Sequence, residues 1–366
     1  MSRVAIVGAG PAGAAAGWHL ARRGHRVTLI DRALFPRDKT CGDWLTPLAL
    51  RELATLGLDG AALTRAAPGH ALIQSSALLS PDGRRSEQRL ARPGRCVRRA
   101  QLDALVVAQA VAAGCVLEQR MVRQVVRDDP AWAAFDHLVD ARGAGAGPPN
   151  AVGLRGYWTV PRLAVSAPAD QVAICADARW RRGYGWVFPV GGDADTLSFN
   201  IGVGLWKQDS RDGATVHDFL EHFLARHPLA RAVCVNAVAS TRPVGYPVML
   251  GGWRNRVERG GVLCVGDAAG LADPLTGDGI GNALTSGRLV AEAIDTGARW
   301  QGRFDAELAP ELRRAHLLRR MLTATVAKNL ATTALDIGPA ALRERLHGAV
   351  FGASHYRALF SLFPLF

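Results

Sequence analysis

A chain of 366 residues, half of them hydrophobic and with a formal net charge of +12, can bury a sizeable core and reads as a globular protein. No run reaches the ~20 apolar residues that cross a bilayer, and the first apolar segment is broken by glycines and closes on Asp31, unlike a signal peptide. Lys39, Lys207 and Lys328 are the only lysines, so the positive charge is almost all arginine; with no aromatic-interleaved basic motif it does not point to nucleic acid.

The chain opens on a β-branched run, Val4–Val7, then Gly8-Ala-Gly10-Pro11-Ala12-Gly13, an Ala-rich run to Leu20, and a second apolar run ending in Asp31-Arg32. Strand, Gly-x-Gly-x-x-Gly turn, helix, strand and acid in register make a dinucleotide-binding βαβ unit. Gly8 allows the tight turn, Gly10 lets backbone approach a pyrophosphate, and Gly13 lets the helix lie close to the sheet. Asp31 can accept hydrogen bonds from both ribose hydroxyls of an adenosine.

A loop follows, Phe35-Pro-Arg37-Asp-Lys39-Thr-Cys41-Gly42-Asp43-Trp44, and then a helix from Pro47 stopped at Gly57. Short apolar runs broken at Pro81-Asp-Gly83 and Pro93-Gly94 predict a hairpin or small sheet over 68–95. Val97-Arg98-Arg99-Ala-Gln-Leu102-Asp103 is expected to open a helix whose apolar positions recur to Ala112, with a stop at Gly114; strands are expected over Val116–Val126, and a short strand into Asp140-Ala-Arg142-Gly143. The Gly/Pro-rich stretch 143–150 is the expected seam between lobes. Strands follow at Gln171–Ala176, Gly185–Phe188 and Thr196–Val203, with a helix over Thr215–Arg226; the chain reads helical from Ile280 through Arg303–Leu335 to its end. Six scattered cysteines without a Cys-x-x-Cys pair read as reduced thiols, and no histidine spacing suggests a metal site.

The most specific stretch is Gly266-Asp267-Ala-Ala-Gly-Leu-Ala-Asp273-Pro274-Leu-Thr276-Gly277-Asp278-Gly279-Ile280. A buried strand delivers Asp267 to its C-terminal end, and a glycine-rich loop leads into a helix. Amides at such a helix start suit the electron-rich pyrimidine edge of a flavin.

Three stretches together resemble the FAD-dependent oxidoreductases of the aromatic-hydroxylase fold, in their geranylgeranyl reductase-like branch: the N-terminal fingerprint, Phe35–Gly42 and Gly266–Ile280. A fourth, Tyr184-Gly-Trp186-Val-Phe188-Pro189, resembles the element lining the substrate cavity in those reductases, and Leu154–Tyr157 matches a further segment. The resemblance implies that Asp31 and Arg32 lie at the adenosine end, Arg99 near the pyrophosphate and Asp267 on the ribityl chain. It also implies that the amides around Gly277, Gly279 and Ile280 face the ring, with Pro274 bounding their loop. Cys41 and Gly42 would then sit beside the isoalloxazine. Trp44 stands where those reductases usually carry a small residue, and Asp140–Gly143 departs from their Gly-Ala-Asp-Gly turn.

The expected fold is α/β (α+β): a discontinuous Rossmann-like FAD-binding domain (1–67, 96–155, 255–300), an inserted mixed-sheet substrate domain (68–95, 156–254) and a C-terminal helical segment (301–366). The expected function is a cytoplasmic FAD-dependent oxidoreductase passing hydride between flavin and a hydrophobic small molecule, either reducing an isoprenoid double bond or carrying out a tailoring oxidation or dehydrogenation of a secondary metabolite, with NAD(P)H as a transient donor. Cys41, Trp44, Tyr184, Trp186 and Phe188 are the pocket candidates, and no catalytic group is assigned. One alternative is a flavin monooxygenase. Hydroxylation ranks above halogenation there, because halogenases of this fold need a lysine in the segment where residues 40–206 have none. A further alternative is a non-redox, flavin-bound cyclase or binding protein. The arginine-rich helix and the apolar end Leu359–Phe366 raise a peripheral membrane contact as a minority expectation; oligomeric state is open.

Overall fold

The computed structural model of the protein describes residues 1–362 except 83, 147, 166, 178, 181–182, 207–214, 253 and 323–338, and no side chains at 145–146. The helical expectation over 323–335 and residues 363–366 of the apolar end therefore lie outside the described residues.

Two sheets organise the chain. The first has six strands, in the order Glu258–Arg259, Val262–Cys264, His137–Asp140, Arg3–Val7, Arg26–Asp31 and Val116–Gln119, parallel except at the Glu258–Arg259 edge. Its central strands are nearly continuous runs of Val, Ile and Leu because both faces are covered. The helix Pro11–Ala21 crosses Ile280–Thr296 closely. A methyl on Gly287 would run into the Ala12 carbonyl and the Ala16 amide, so small residues on both helices set the spacing.

The second sheet has nine strands, running from Ala239–Ser240 through Ala151–Pro161, Thr196–Trp206, Gly183–Gly192, Gln171–Cys175, Ala71–Leu79 and Arg85–Cys96 to Trp44–Leu45, with Val244–Val248 also on Ala151–Pro161. Alternation along Gly183–Gly192 divides its faces. Gly183 and Gly185 lie under Phe219 and Phe223 of the helix Val216–Arg226, whose Thr215–Asp218 capping box fixes its start. Tyr184, Trp186 and Phe188 point the other way. Methyls at either glycine would collide with those phenyl rings, so the small residues let the helix seat.

Two boundaries differ from the sequence reading. Trp44–Leu45 pairs with Arg95–Cys96, and 151–155 begins a strand of the second sheet, so both belong to the second layer and not the first. The strand expectation over Val116–Val126 shortens to Val116–Gln119, which has a sheet partner on one side only.

The C-terminal helix Ala340–Val350 lies on the Ala71–Cys96 hairpin. Buried His347 bridges it, with Nδ1 2.9 Å from Ser76 Oγ and Nε2 3.1 Å from Ser86 Oγ. Past that helix, Gly352 accepts the Leu48 amide at 3.0 Å, and Leu359 packs with Ala315 and Leu318.

Candidate active site

A cavity of about 880 Å³ opens between the two sheets. One end is formed by Gly8, Gly10, Pro11, Ala12, Asp31 and Arg32, the middle by Cys41, Gly42, Asp267 and Gly277–Ile280, and the far end by Trp44, Tyr184, Trp186 and Phe188. These sequence candidates, with Arg99, line one continuous space. Gly13, Gly266 and Pro274 do not line it and lie behind it. A methyl on Gly13 would strike the Gly8 carbonyl, and one on Gly266 would lie 2.9 Å from Ala12 Cβ. Both glycines permit close backbone packing at those points.

The glycine end fits an FAD pyrophosphate. Gly8, at φ +104°, packs its turn on the Ala141 carbonyl, while a methyl on Gly10 would meet only the Arg37 guanidinium, at 3.5 Å. Open space over Gly10 at the start of the helix Pro11–Ala21 is therefore a cradle for phosphate oxygens. Asp31 is buried at the strand end, its carboxylate accepting the Ala9 amide at 2.8 Å and the Ala33 amide at 2.9 Å. Those bonds hold it in place and leave lone pairs for ribose hydroxyls.

Arg99 lines the cavity and is held by a carboxylate on its own helix. Its guanidinium bonds Asp103 bidentately at 2.6 and 2.7 Å and lies beside the Cys41 sulfur. Buried Asp103 also binds Arg37 at 2.9 Å. The i,i+4 carboxylate claims Arg99, and Arg37 is the cation that reaches the Gly10 turn. Asp267 is paired with Lys39 at 3.1 Å, and the Asp140–Gly143 turn is closed internally by Arg142 on Asp140 at 2.9 and 2.7 Å.

At the ring end, Asp278 Oδ1 accepts the Ile280 amide at 3.1 Å, so a side chain meets one of the amides expected to face the flavin. Burial and the charge of nearby Asp273 push the Asp278 carboxyl up to about 6. Asp273 is itself raised by burial; it accepts the Leu275 and Thr276 amides and the Tyr356 hydroxyl, which ties the C-terminal segment to this loop.

The far wall is aromatic. Ring centroids lie 6.0 Å apart for Tyr184 and Trp186 and 6.3 Å for Trp186 and Phe188, and Tyr184 donates to the Thr276 carbonyl. Trp44 lies over Gly94, where any side chain would collide with its indole, and its Nε1 bonds no protein group. Val350 of the C-terminal segment, with Ile174 and Leu205, adds aliphatic surface. Burial pushes the Cys41 thiol up, opposed by the adjacent Arg99 charge.

Sequence reasoning missed Asp43, Tyr157 and Asn200 behind this wall, as well as Arg37, Lys39 and Asp278. Among the described residues no group of three or more His, Cys, Asp or Glu is placed to hold a metal, all six cysteines are free, and no helix is long and apolar enough to cross a membrane.

Comparison with known proteins agrees with this geometry. A family model described as an FAD binding domain matches residues 1–138. The menaquinone reductase of Mycolicibacterium smegmatis is 30% identical over 328 residues, covering 80% of this chain and 76% of the relative. Digeranylgeranylglycerophospholipid reductase 1 of Methanopyrus kandleri is 29% identical over 360 residues, covering 87% and 90%. Among solved structures, a geranylgeranyl bacteriochlorophyll reductase-like protein of Thermoplasma acidophilum superimposes with a TM-score of 0.73 at 17% identity, over 99% of this chain and 96% of that one. A flavin-dependent brominase superimposes at 0.71 with 18% identity, over 100% and 99%.

Proposed function

The chain belongs to the geranylgeranyl reductase-like family of FAD-dependent oxidoreductases, and from that premise we propose that it saturates a carbon–carbon double bond of a hydrophobic isoprenoid or prenylated quinone. The observation that carries this reading is the single cavity: a phosphate cradle at one end and an apolar, aromatic wall at the other, with no break between.

When bound, FAD supplies the hydride chemistry. Gly8, Gly10 and the helix start at Pro11 would hold its pyrophosphate, with Arg37 adding positive charge and Asp31 the adenosine ribose. Lys39 and Asp267 would meet the ribityl region, and the Gly277–Ile280 loop the ring. Tyr184, Trp186 and Phe188 orient an apolar chain and exclude water, which serves both a hydride acceptor and the proton that must follow it. Cys41, and Asp278 below its pKa of about 6, both lining the cavity, are the groups that hold a proton there.

NAD(P)H is the proposed donor, binding transiently. A cytoplasmic location with peripheral membrane contact suits a lipid substrate; half-exposed Val244 at the cavity and exposed Leu34 beside it support that contact. Oxygenation of a smaller aromatic is the second reading, favoured by Trp44, whose indole narrows the ring end.

The test is turnover by the reduced, FAD-loaded enzyme without oxygen, offered a prenylated quinone, a polyprenyl lipid and an aromatic heterocycle. The reductase reading expects a prenyl product two hydrogens heavier. Turnover of the heterocycle alone, only in oxygen and with gain of an oxygen atom, would sink it.

A further inference from the structure

Behind the aromatic wall lies a polar cluster that the proposed chemistry does not use. Asp43 is fully buried and has a left-handed backbone, φ +63°, between Gly42 and Trp44. Its Oδ2 accepts the Tyr157 hydroxyl at 2.6 Å and the Asn200 amide at 2.9 Å, and its Oδ1 accepts the Arg99 amide at 3.1 Å. Fully buried Asn200 is the hub. Its Nδ2 also donates to the Cys41 carbonyl at 2.7 Å, and its Oδ1 accepts Trp186 Nε1 at 2.9 Å. One amide group thus ties the loop carrying Cys41 and Trp44 to the strand carrying Trp186.

Burying a carboxyl costs free energy, and desolvation does push Asp43 above the ordinary carboxylate range. A purely packed junction would use an apolar residue, with no left-handed non-glycine backbone. What the acid adds is direction. With three donors converging on its two oxygens, it fixes which way the Asn200 amide faces, and so which group Asn200 offers to Cys41 and which to Trp186.

We propose that Asp43 is a positioning residue of the active site: through Asn200 it sets the Cys41 loop and the Trp186 indole in one register, joining the cofactor side of the cavity to the substrate side. The proposal rests on the functional reading above for what the cavity holds, and on the bonds just given for the coupling itself.

Asp43→Asn is the informative variant. Asn tolerates the left-handed backbone, so the turn is kept. In either orientation, however, its NH2 opposes a donor, the Arg99 amide or the Asn200 amide. Asn200→Ala cuts the link at the hub and leaves Asp43 its Tyr157 and Arg99 donors, so the claim stays testable if D43N fails to fold.

FAD-loaded wild type, D43N, N200A and the double variant would be compared in two assays: the rate of Cys41 alkylation by iodoacetamide, read by peptide mass spectrometry, and kcat and KM on the prenylated quinone. Each single variant should alkylate Cys41 at least ten-fold faster and raise KM at least ten-fold with a smaller change in kcat. The double variant should be no worse than either single one. Losses that multiply in the double variant would overturn the coupling. So would alkylation rates within two-fold of wild type in D43N or N200A. If the wild type turns over no prenyl substrate, the functional reading fails, while the alkylation comparison still decides the coupling.

Discussion

Replacing Trp44 with alanine tests what limits the substrate. The indole lines the cavity, sits over Gly94 and donates its N–H to no protein group, so truncation breaks no polar contact and leaves no acceptor unsatisfied. The side chain is only partly buried, so the stability loss should fall at the low end of the range for truncating a tryptophan, about 3 kcal/mol. The vacated space borders Trp186, Phe188 and Val350, where an added branched aliphatic unit would be buried. Full burial of such a unit is worth about 1.5–3 kcal/mol, or roughly 10- to 100-fold in kcat/KM. The assay is kcat/KM for a short and a long prenyl quinone in wild type and W44A, with thermal denaturation as the folding control. The ratio of long to short should rise by at least ten-fold. A folded W44A with an unchanged ratio would refute the argument that this indole sets the limit.

Arg99→Met should lower unfolding stability by about 2–3 kcal/mol in urea titration, because buried Asp103 loses its bidentate partner and keeps only Arg37; its main effect should be on stability and not on FAD affinity. A stable R99M with strongly weakened FAD binding would restore the pyrophosphate role. His347, fully buried, is held down to about 4 by desolvation. Its folded pKa lies below the unfolded value, so its contribution is present above pH ~6.5 and is lost as pH falls toward 4, by up to about 3 kcal/mol. Urea midpoints at the two ends of that window should differ less in H347Q, and identical slopes with pH would contradict this. Asp278 has a raised pKa, about 6, so it becomes anionic in the cavity as pH rises through that value. FAD should bind more weakly above it than below in wild type, and D278N should flatten the profile in a fluorescence titration.

The parts legible from sequence were those with local cause. The Gly8–Gly13 turn, the Thr215–Asp218 helix start and the alternation at Tyr184–Phe188 each depend on residues a few positions apart. The strand Ala151–Pro161 was hidden because Gly153, Arg155 and Gly156 interrupt its pattern, although three other strands pair along it. The Asp43–Asn200 and Asp43–Tyr157 bonds span 157 and 114 residues, and no spacing rule reaches that far. The Arg99–Asp103 pair is the opposite case: Asp103, one turn later, is legible in the sequence as an i,i+4 partner.

The central claim is that one cavity brings hydride from FAD to an apolar double bond. Its most direct measurement is a single turnover: the flavin of the holoenzyme is reduced under argon, a prenylated quinone is added, and the oxidised flavin absorbance is followed together with product mass. The account predicts that the absorbance returns without oxygen, in step with a product two hydrogens heavier. Flavin that stays reduced until oxygen is admitted, with a product that has gained oxygen, would contradict it.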